Sequence, residues 1–318
     1  MEKNQINRFS MINLNYKIIT VFLILFCFIV KSIAQDGINN SFYRDGKLKQ
    51  SEMFKGGKLD GESRYYYDTG ILKEIVNYKE GRKYGIYSSF YESGILMEVY
   101  NYVNDKFNGE FRTYHFNGVL REAGNYLNGL LDGEYRAYFE TGELKSHYYF
   151  SNGEKSGLAR DFYKNGNTKV EANYQHNLQN GLTIWYYENG AKKGMYNYEG
   201  GNLHGNSKEY YESGTLLSEK NYRFGKLDGF VYDYYENGNL KSESFFAMGN
   251  REDLTKSYYE NGKLWTEQNY SKNVLNGETK IFREDSSLWF IENYVNGDLV
   301  SSKEYSTEGK LIDGKTFR

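Results

Sequence analysis

Between residues 43 and 306, stretches of about six residues that close on aromatic rings alternate with short breaks of Gly, Asn, Asp or Ser. Such lengths, ring content and turn-forming breaks predict β-strands joined by tight reversals. The pattern recurs every 24 residues without a slip. One register holds Gly46, Gly70, Gly94, Gly118, Gly142, Gly166, Gly190, Gly214, Gly238 and Gly262, with Ser286 in the next place. These glycines read as structural turn positions. A second register holds Gly61, Gly85, Gly109, Gly133, Gly157, Gly181, Gly205 and Gly229, passes through Asp253 and returns at Gly277. A third holds Gly57, Gly81, Asp105, Gly129, Gly153, Asn177, Gly201, Gly225, Gly249, Asn273 and Gly297, residue types that tolerate positive φ. The first register follows Asp, Asn, Ser or Thr, as in Asn189-Gly190 and Asn237-Gly238, and Asn-Gly is a strong signal for a short hairpin turn. Each repeat therefore carries two reversals.

One stretch per repeat ends at Phe54, Tyr78, Tyr102, Tyr126, Phe150, Tyr174, Tyr198, Tyr222, Phe246, Tyr270 or Tyr294. The other ends in a pair of rings, as in Tyr66-Tyr67, Tyr186-Tyr187 and Tyr258-Tyr259, with Tyr114-His115 and Phe282-Arg283 as weaker copies. There is no proline, which would remove a ladder donor wherever it fell in a continuous sheet. Eleven repeats of two strands each predict an all-β, elongated repeat protein. Its single antiparallel β-meander would hold about 22 strands in sequence order and run roughly 100 Å at a strand spacing of about 4.8 Å. Each repeat touches mainly its neighbours, so stability is a sum of local interfaces with no central core. The expected organisation is an export segment over 1–34, a lead-in over 35–42, the repeats over 43–306 and a partial repeat over 307–318.

Adjacent rings in a strand point to opposite faces, so one ring of each pair packs inward and the other joins a ladder. Two readings stay open. Both ladders stabilise the sheet by cross-strand stacking, or one is a binding surface, because Tyr offers area and a hydroxyl at low entropic cost. On the second reading the candidate site is the longest unbroken ladder, Tyr163, Tyr187, Tyr211, Tyr235 and Tyr259. Charges also run in columns, Lys169, Lys193 and Lys241 in one and Glu188, Glu212, Glu236 and Glu260 in another. Opposite signs alternating along a sheet read as a solvated surface that discourages pairing with other chains, with an anion-binding groove as the alternative.

Each repeat reads Y-x-x-G-x-L, a central Asn-Tyr or its variant, then G-x-x-x-G and the closing ring pair. The clearest copies are Tyr235 to Glu243 and Gly225 to Gly229. In these motifs the chain resembles the MORN-repeat variant of YwqK-type bacterial proteins. The resemblance implies a β-hairpin repeat fold and a non-enzymatic role in protein–protein interaction. For the YwqK type it implies the antitoxin component of a toxin–antitoxin module, which binds and neutralises a protein toxin. MORN repeats elsewhere associate with membranes or serve as protein scaffolds.

Composition narrows the partners. The 36 basic and 41 acidic residues of 35–318 leave a net charge of −5, and the sequence pI of about 6.2 argues against nucleic acid and against an anionic membrane surface. A carbohydrate or cell-wall binder is the alternative class, since Gly- and aromatic-rich repeats of about 20 residues also occur in choline- and glucan-binding modules. Such modules stack sugars on Trp, whereas only Trp185, Trp265 and Trp289 occur here. No H-E-x-x-H, G-x-S-x-G or G-x-x-x-x-G-K-[ST] pattern is present, and His115, His147, His176 and His204 fall at four different places in the repeat. No catalytic residue, metal or cofactor is expected.

Lys3, Arg8 and Lys17 precede the apolar run from Ile18 to Val30, and Ser32-Ile33-Ala34 places small residues at −3 and −1 before Gln35. This is the pattern of a secretory signal, and at 13 residues the run falls short of the roughly 20 of a spanning helix. Cys27, the single cysteine, lies inside it, so the exported chain would carry no thiol. N-terminal sequencing of the chain recovered from outside the cytoplasm is expected to start at Gln35; a start at Met1 would mean that the segment stays on as an anchor.

Overall fold

The computed structural model describes residues 36–317; the expected export segment over 1–34 and Cys27 lie outside them. The described residues contain no helix and place 28 strands in one antiparallel sheet. Two compact units divide the chain, one ending at Gly109 and the other running from Glu110. Four two-residue strands, such as Lys58–Leu59 and Asn202–Leu203, are stubs of longer strands interrupted by a kink. Counted with their continuations, the strands between residues 43 and 306 number 22, as the repeat predicts. Two more flank them. Gly37–Phe42, within the expected lead-in, pairs with Leu48–Lys55, and Leu311–Thr316 pairs with Asp298–Tyr305.

The two reversals are built differently. The third register makes two-residue hairpins in which both residues have positive φ, as at Glu80 (51°) and Gly81 (84°) between the paired Lys79 and Arg82. That is a type I′ turn, whose twist matches the flanking strands. The first register does not follow the two-residue form that Asn-Gly suggests. In the loop after Phe162, Gly166 N–H donates to Tyr163 O (3.0 Å) and Tyr163 N–H donates to Asn167 O (2.8 Å). Only Gly166 has positive φ, while Asn165 uses its Oδ1 to accept the Asn167 N–H at 2.9 Å. The loop is a three-residue connection closed by a glycine bulge, and Asn acts there through its side chain, not through a left-handed backbone.

The second glycine register forms no turn at all. In the first compact unit Tyr78 pairs with Lys83 and Val76 with Tyr87, so Tyr84, Gly85 and Ile86 stand against Asn77 alone. This is an enlarged β-bulge, with Gly85 at φ 88°. Asn77 Nδ2 donates to the stranded Ile86 carbonyl at 2.7 Å, and on the next strand Tyr102 lies opposite Gly85. The second unit repeats the device, with Asn197 donating to Asn206 O (2.7 Å) and Tyr222 opposite Gly205. Where Asn-Tyr is kept it has a division of labour. Asn77, Asn197, Asn221 and Asn269 satisfy the carbonyl that the bulge leaves over, and the Tyr after each stands opposite a bulge glycine or, for Tyr270, Asp253; Met53, Tyr149 and Phe245 take the Asn place in other repeats.

Burial follows one line across one face. In the first unit Ser63, Val76, Tyr87 and Tyr100 are cross-strand neighbours in series. In the second, Ala159, Ala172, Thr183 and Tyr196 form such a run, and Ser207, Lys220, Val231 and Ser244 another. Small residues are interspersed with large ones along this row, so that in places a ring lies over a short side chain. Phe111 fills the place left by Gly124, where a Cβ would stand 2.8 Å from Phe111 Cε1. Tyr135 and Tyr148 stack with centroids 5.9 Å apart and planes 9° from parallel. The core is therefore a linear one on a single-layer sheet.

Ser286, at φ 74°, occupies the loop position that glycine holds in the other repeats. A left-handed backbone disfavours a side chain, so Ser286→Gly is expected to stabilise the chain by roughly 0.5–1 kcal/mol. A higher denaturation midpoint with an unchanged denaturant slope would bear this out.

Candidate functional site

The ladder tyrosines singled out from the sequence open the three-residue loops and lean over the packed face. Each is half-buried. Tyr163 Oη donates to Tyr186 O at 2.9 Å, Tyr187 to Tyr210 O at 2.8 Å and Tyr211 to Tyr234 O at 2.9 Å. Tyr235 and Tyr259 do the same to Tyr258 O (2.8 Å) and Phe282 O (2.9 Å). Every hydroxyl thus reaches the backbone of the following repeat, 23 residues on. The weaker copies keep the link by other means, since His115 Nε2 donates to Tyr138 O (3.1 Å) and Arg283 Nη2 to Tyr305 O (2.7 Å). The hydroxyls are structural staples; what the ladder offers outward is its ring faces.

Those faces carry cations. Lys169, Lys193 and Lys241 place Nζ 5.8, 5.5 and 5.5 Å from the centroids of Tyr163, Tyr187 and Tyr235. Each lysine sits six residues after its tyrosine, across the loop, and the contact is a cation–π one. The basic column read as a solvated surface is therefore also a cover for the ladder. Beside the first-register loops, Asn165 and Asn167 donate to Glu188 O, both at 2.9 Å, and Lys263 to Glu284 O at 2.8 Å. The acidic column thus serves its neighbours through backbone carbonyls.

The packed face also holds carboxylates that periodicity alone does not single out. Asp161 accepts from Ser146 Oγ (2.6 Å) and from Tyr148 Oη. Glu122 accepts from Tyr135 (2.9 Å) and Thr113 (3.3 Å). Glu209 accepts from Tyr196 (3.0 Å), Ser218 (3.0 Å) and Lys220 (2.9 Å). Burial works to raise the Glu209 pKa, but the bonds from Lys220, Ser218 and Tyr196 outweigh it and hold the carboxyl below its ordinary value. Burial works to lower Lys220, and its bond to Glu209 nevertheless raises it. The tyrosines move upward, first through burial and then through their carboxylate partners, Tyr148 to about 12 and Tyr135 and Tyr196 further.

The opposite face carries the first ring of each pair, as the alternation requires; Tyr186 Oη donates there to Glu171 (3.3 Å), beside the Arg160–Glu171 ion pair (2.7 Å). Cross-strand pairs Lys208–Glu219 (3.5 Å) and Lys256–Glu243 (3.3 Å) continue the pattern. The histidines stay apart, with His147 against Glu134, His176 against Glu154 and His204 against Glu199. Among the described residues no three His, Cys, Asp or Glu side chains converge.

Comparison with known proteins adds the following. The family profile described as "MORN repeat variant" matches residues 35–55, 59–80, 83–104, 107–128, 131–152, 155–176, 179–199, 203–223, 227–247 and 254–272. The hairpins continue past the last of these ten matches, through Val274–Phe282 and Leu288–Val295. No curated protein matches the chain. Among solved structures, the crystal structure of TcdB2-TccC3 is 13% identical over 88% of this chain and 18% of its own, with a TM-score of 0.20. A Photorhabdus luminescens Tc holotoxin pore carrying TccC3-D651A is 12% identical over 87% of this chain and 19% of its own, with a TM-score of 0.16. The chain spans less than a fifth of those structures.

A tyrosine whose folded pKa lies above its ordinary 10.0 stabilises the fold fully below pH 10, and that contribution is lost as pH rises towards the folded value. The strand circular-dichroism signal is expected to hold up to pH 10 and to fall between pH 10 and 12, in step with tyrosinate absorbance. Loss of strand signal well before tyrosinate appears would contradict this origin.

Proposed function

Because the chain belongs to the MORN repeat variant family, we propose that it is an exported, non-catalytic scaffold that binds another protein along its tyrosine ladder. The observation that carries the reading is the ladder itself. Tyr163, Tyr187, Tyr211, Tyr235 and Tyr259 repeat at a fixed spacing with each hydroxyl tied down, so their ring faces are held before any partner arrives. Rigid aromatic area loses little freedom on binding, which favours affinity. Lys169, Lys193 and Lys241 frame the rings and would steer acidic groups of a partner toward them. The secretory pattern of residues 1–34 supports a partner outside the cytoplasm. Neutralisation of a toxin, the role implied by the YwqK resemblance, is a special case of this reading.

The staples decide how it is tested. Replacing ladder tyrosines would cut bonds between repeats, whereas Lys169→Glu, Lys193→Glu and Lys241→Glu together leave those bonds in place. With residues 35–318 as bait, a protein from the source organism that is captured by the wild type, fails to bind the triple variant and rebinds as a purified pair supports the scaffold. Capture that is indifferent to the three reversals, or no captured protein, would overturn it. A toxin-like partner would establish the narrower role.

A further inference from the structure

One place on the packed face of the second compact unit brings two small side chains together beside an indole. Ser244 stands where other repeats carry Tyr148, Tyr196 and Lys220 but also Gly124 and Ala172. Ser257 stands where Asp161, Glu209 and Asp233 stand but also Ser89, Thr113 and Ala137, and Trp265 where Lys169, Lys193 and Lys241 stand but also Leu217 and Trp289. Here the buried row and the row beside it are both short of side-chain volume, and an indole lies at the rim.

The result is an open cavity of about 220 Å³ whose lining includes Ser244, Arg251, Thr255, Ser257, Trp265 and Gln268. Thr255 is only 4% exposed, and its Oγ1 has no hydrogen-bond partner, as is also true of Ser63, Thr183, Ser207 and Thr279 at the same place in other repeats; what differs here is the cavity beside it. Arg251 lies across two rings, its guanidinium 5.4 Å from the Phe246 centroid and 5.0 Å from that of Tyr270, and no carboxylate among the described residues is within ion-pair distance. Its position is fixed by stacking while its N–H donors stay available. Lys241 adds a second positive charge at the margin, over Tyr235. Asp233, close in the same row, is engaged by the Ser242 hydroxyl at 2.9 Å. Trp265, 45% exposed, offers a flat apolar face next to Tyr259, 5.7 Å between centroids.

We propose that this cavity binds a single pyranose ring bearing a carboxylate, such as a uronic acid of an extracellular polysaccharide. Each feature has a role in that recognition. The indole receives the C–H face of the ring, and the hydroxyls of Ser244, Thr255 and Ser257 with the Gln268 amide meet its hydroxyl groups. Arg251 pairs with the carboxylate, where a planar guanidinium can donate two parallel bonds. Ser257, unlike Asp161, Glu209 and Asp233 at the same place in other repeats, brings no negative charge to repel such a ligand. This site and the proposed ladder interface rest on separate residues, apart from the shared margin at Lys241, Tyr235 and Tyr259.

Trp265 at the rim makes tryptophan emission the readout, with sodium glucuronate, glucose and sodium acetate as probes of residues 35–318. Glucuronate is expected to give a saturable change with a dissociation constant of about 1 mM, and glucose and acetate at least tenfold weaker responses. Ser244→Tyr restores the ring that Tyr148 and Tyr196 provide in their repeats, so it fills the cavity with a side chain the fold already accommodates. It is expected to keep the strand circular-dichroism signal and to lose the glucuronate response, and Arg251→Gln to weaken it at least tenfold. The proposal is overturned if wild type shows no saturable response. It is equally overturned if glucose or acetate binds as well as glucuronate, or if folded Ser244→Tyr binds as tightly as wild type.

Discussion

A sheet one layer thick has no second layer to press against, and everything else in this molecule answers that constraint. Backbone pairing satisfies the strands, but the hydrophobic contribution to stability requires apolar surface to leave water. Here the rings do it by packing against one another and against short side chains across neighbouring strands, some stacked and some edge-on. Small residues are interspersed among large ones along the buried row, so that Phe111 can occupy the space above Gly124 and Tyr196 the space beside Gly194. The polar background is then no contradiction, since the rings are half-buried and still leave part of their surface to water.

Cross-strand packing needs the strands to hold register, and the two margins of the sheet secure it by different means. At the type I′ margin the turn amide of one hairpin bonds the preceding one, as when Gly81 N–H donates to Leu59 O (2.7 Å) and Gly249 N–H to Leu227 O (2.7 Å). At the other margin the tyrosine hydroxyls span 23 residues to a carbonyl. A link spaced by one repeat tolerates no change in repeat length, which accounts physically for 24 residues without a slip. It also makes stability local, a sum of repeat interfaces, in the manner of solenoid proteins.

The same economy bears on function. Carboxylates such as Asp161 and Glu209 are engaged by tyrosine and serine hydroxyls, so the packed face presents bonded polar groups rather than a row of free charges. The ladder is pinned through its hydroxyls and so offers rings. Specific recognition has to come from a place where this packing opens, and Ser244, Ser257 and Trp265 line one such cavity together.

Much of the fold was legible in the sequence because its signals are periodic. Glycine and asparagine registers located both reversals, ring pairs located the strand ends, and their alternation assigned Tyr186 and Tyr187 to opposite faces. What periodicity could not separate was a glycine that turns the chain from one that kinks a strand. Gly85 and Gly81 look alike in sequence, and only the pairing of three residues against Asn77 distinguishes the bulge. Asn-Gly was misleading for a related reason, since a side-chain bond from Asn165 to Asn167 N–H replaces a second left-handed residue. The candidate ladder was identified as a column, but a column says nothing of where a hydroxyl points, and the carbonyl it meets belongs to the following repeat. The sequence by itself determined an all-β meander of fixed period, because strand length, turn chemistry and side-chain alternation are local properties. Only the tertiary structure decided which tyrosine atoms are committed and where the buried row opens, because both depend on residues about 13 to 23 positions apart meeting across strands.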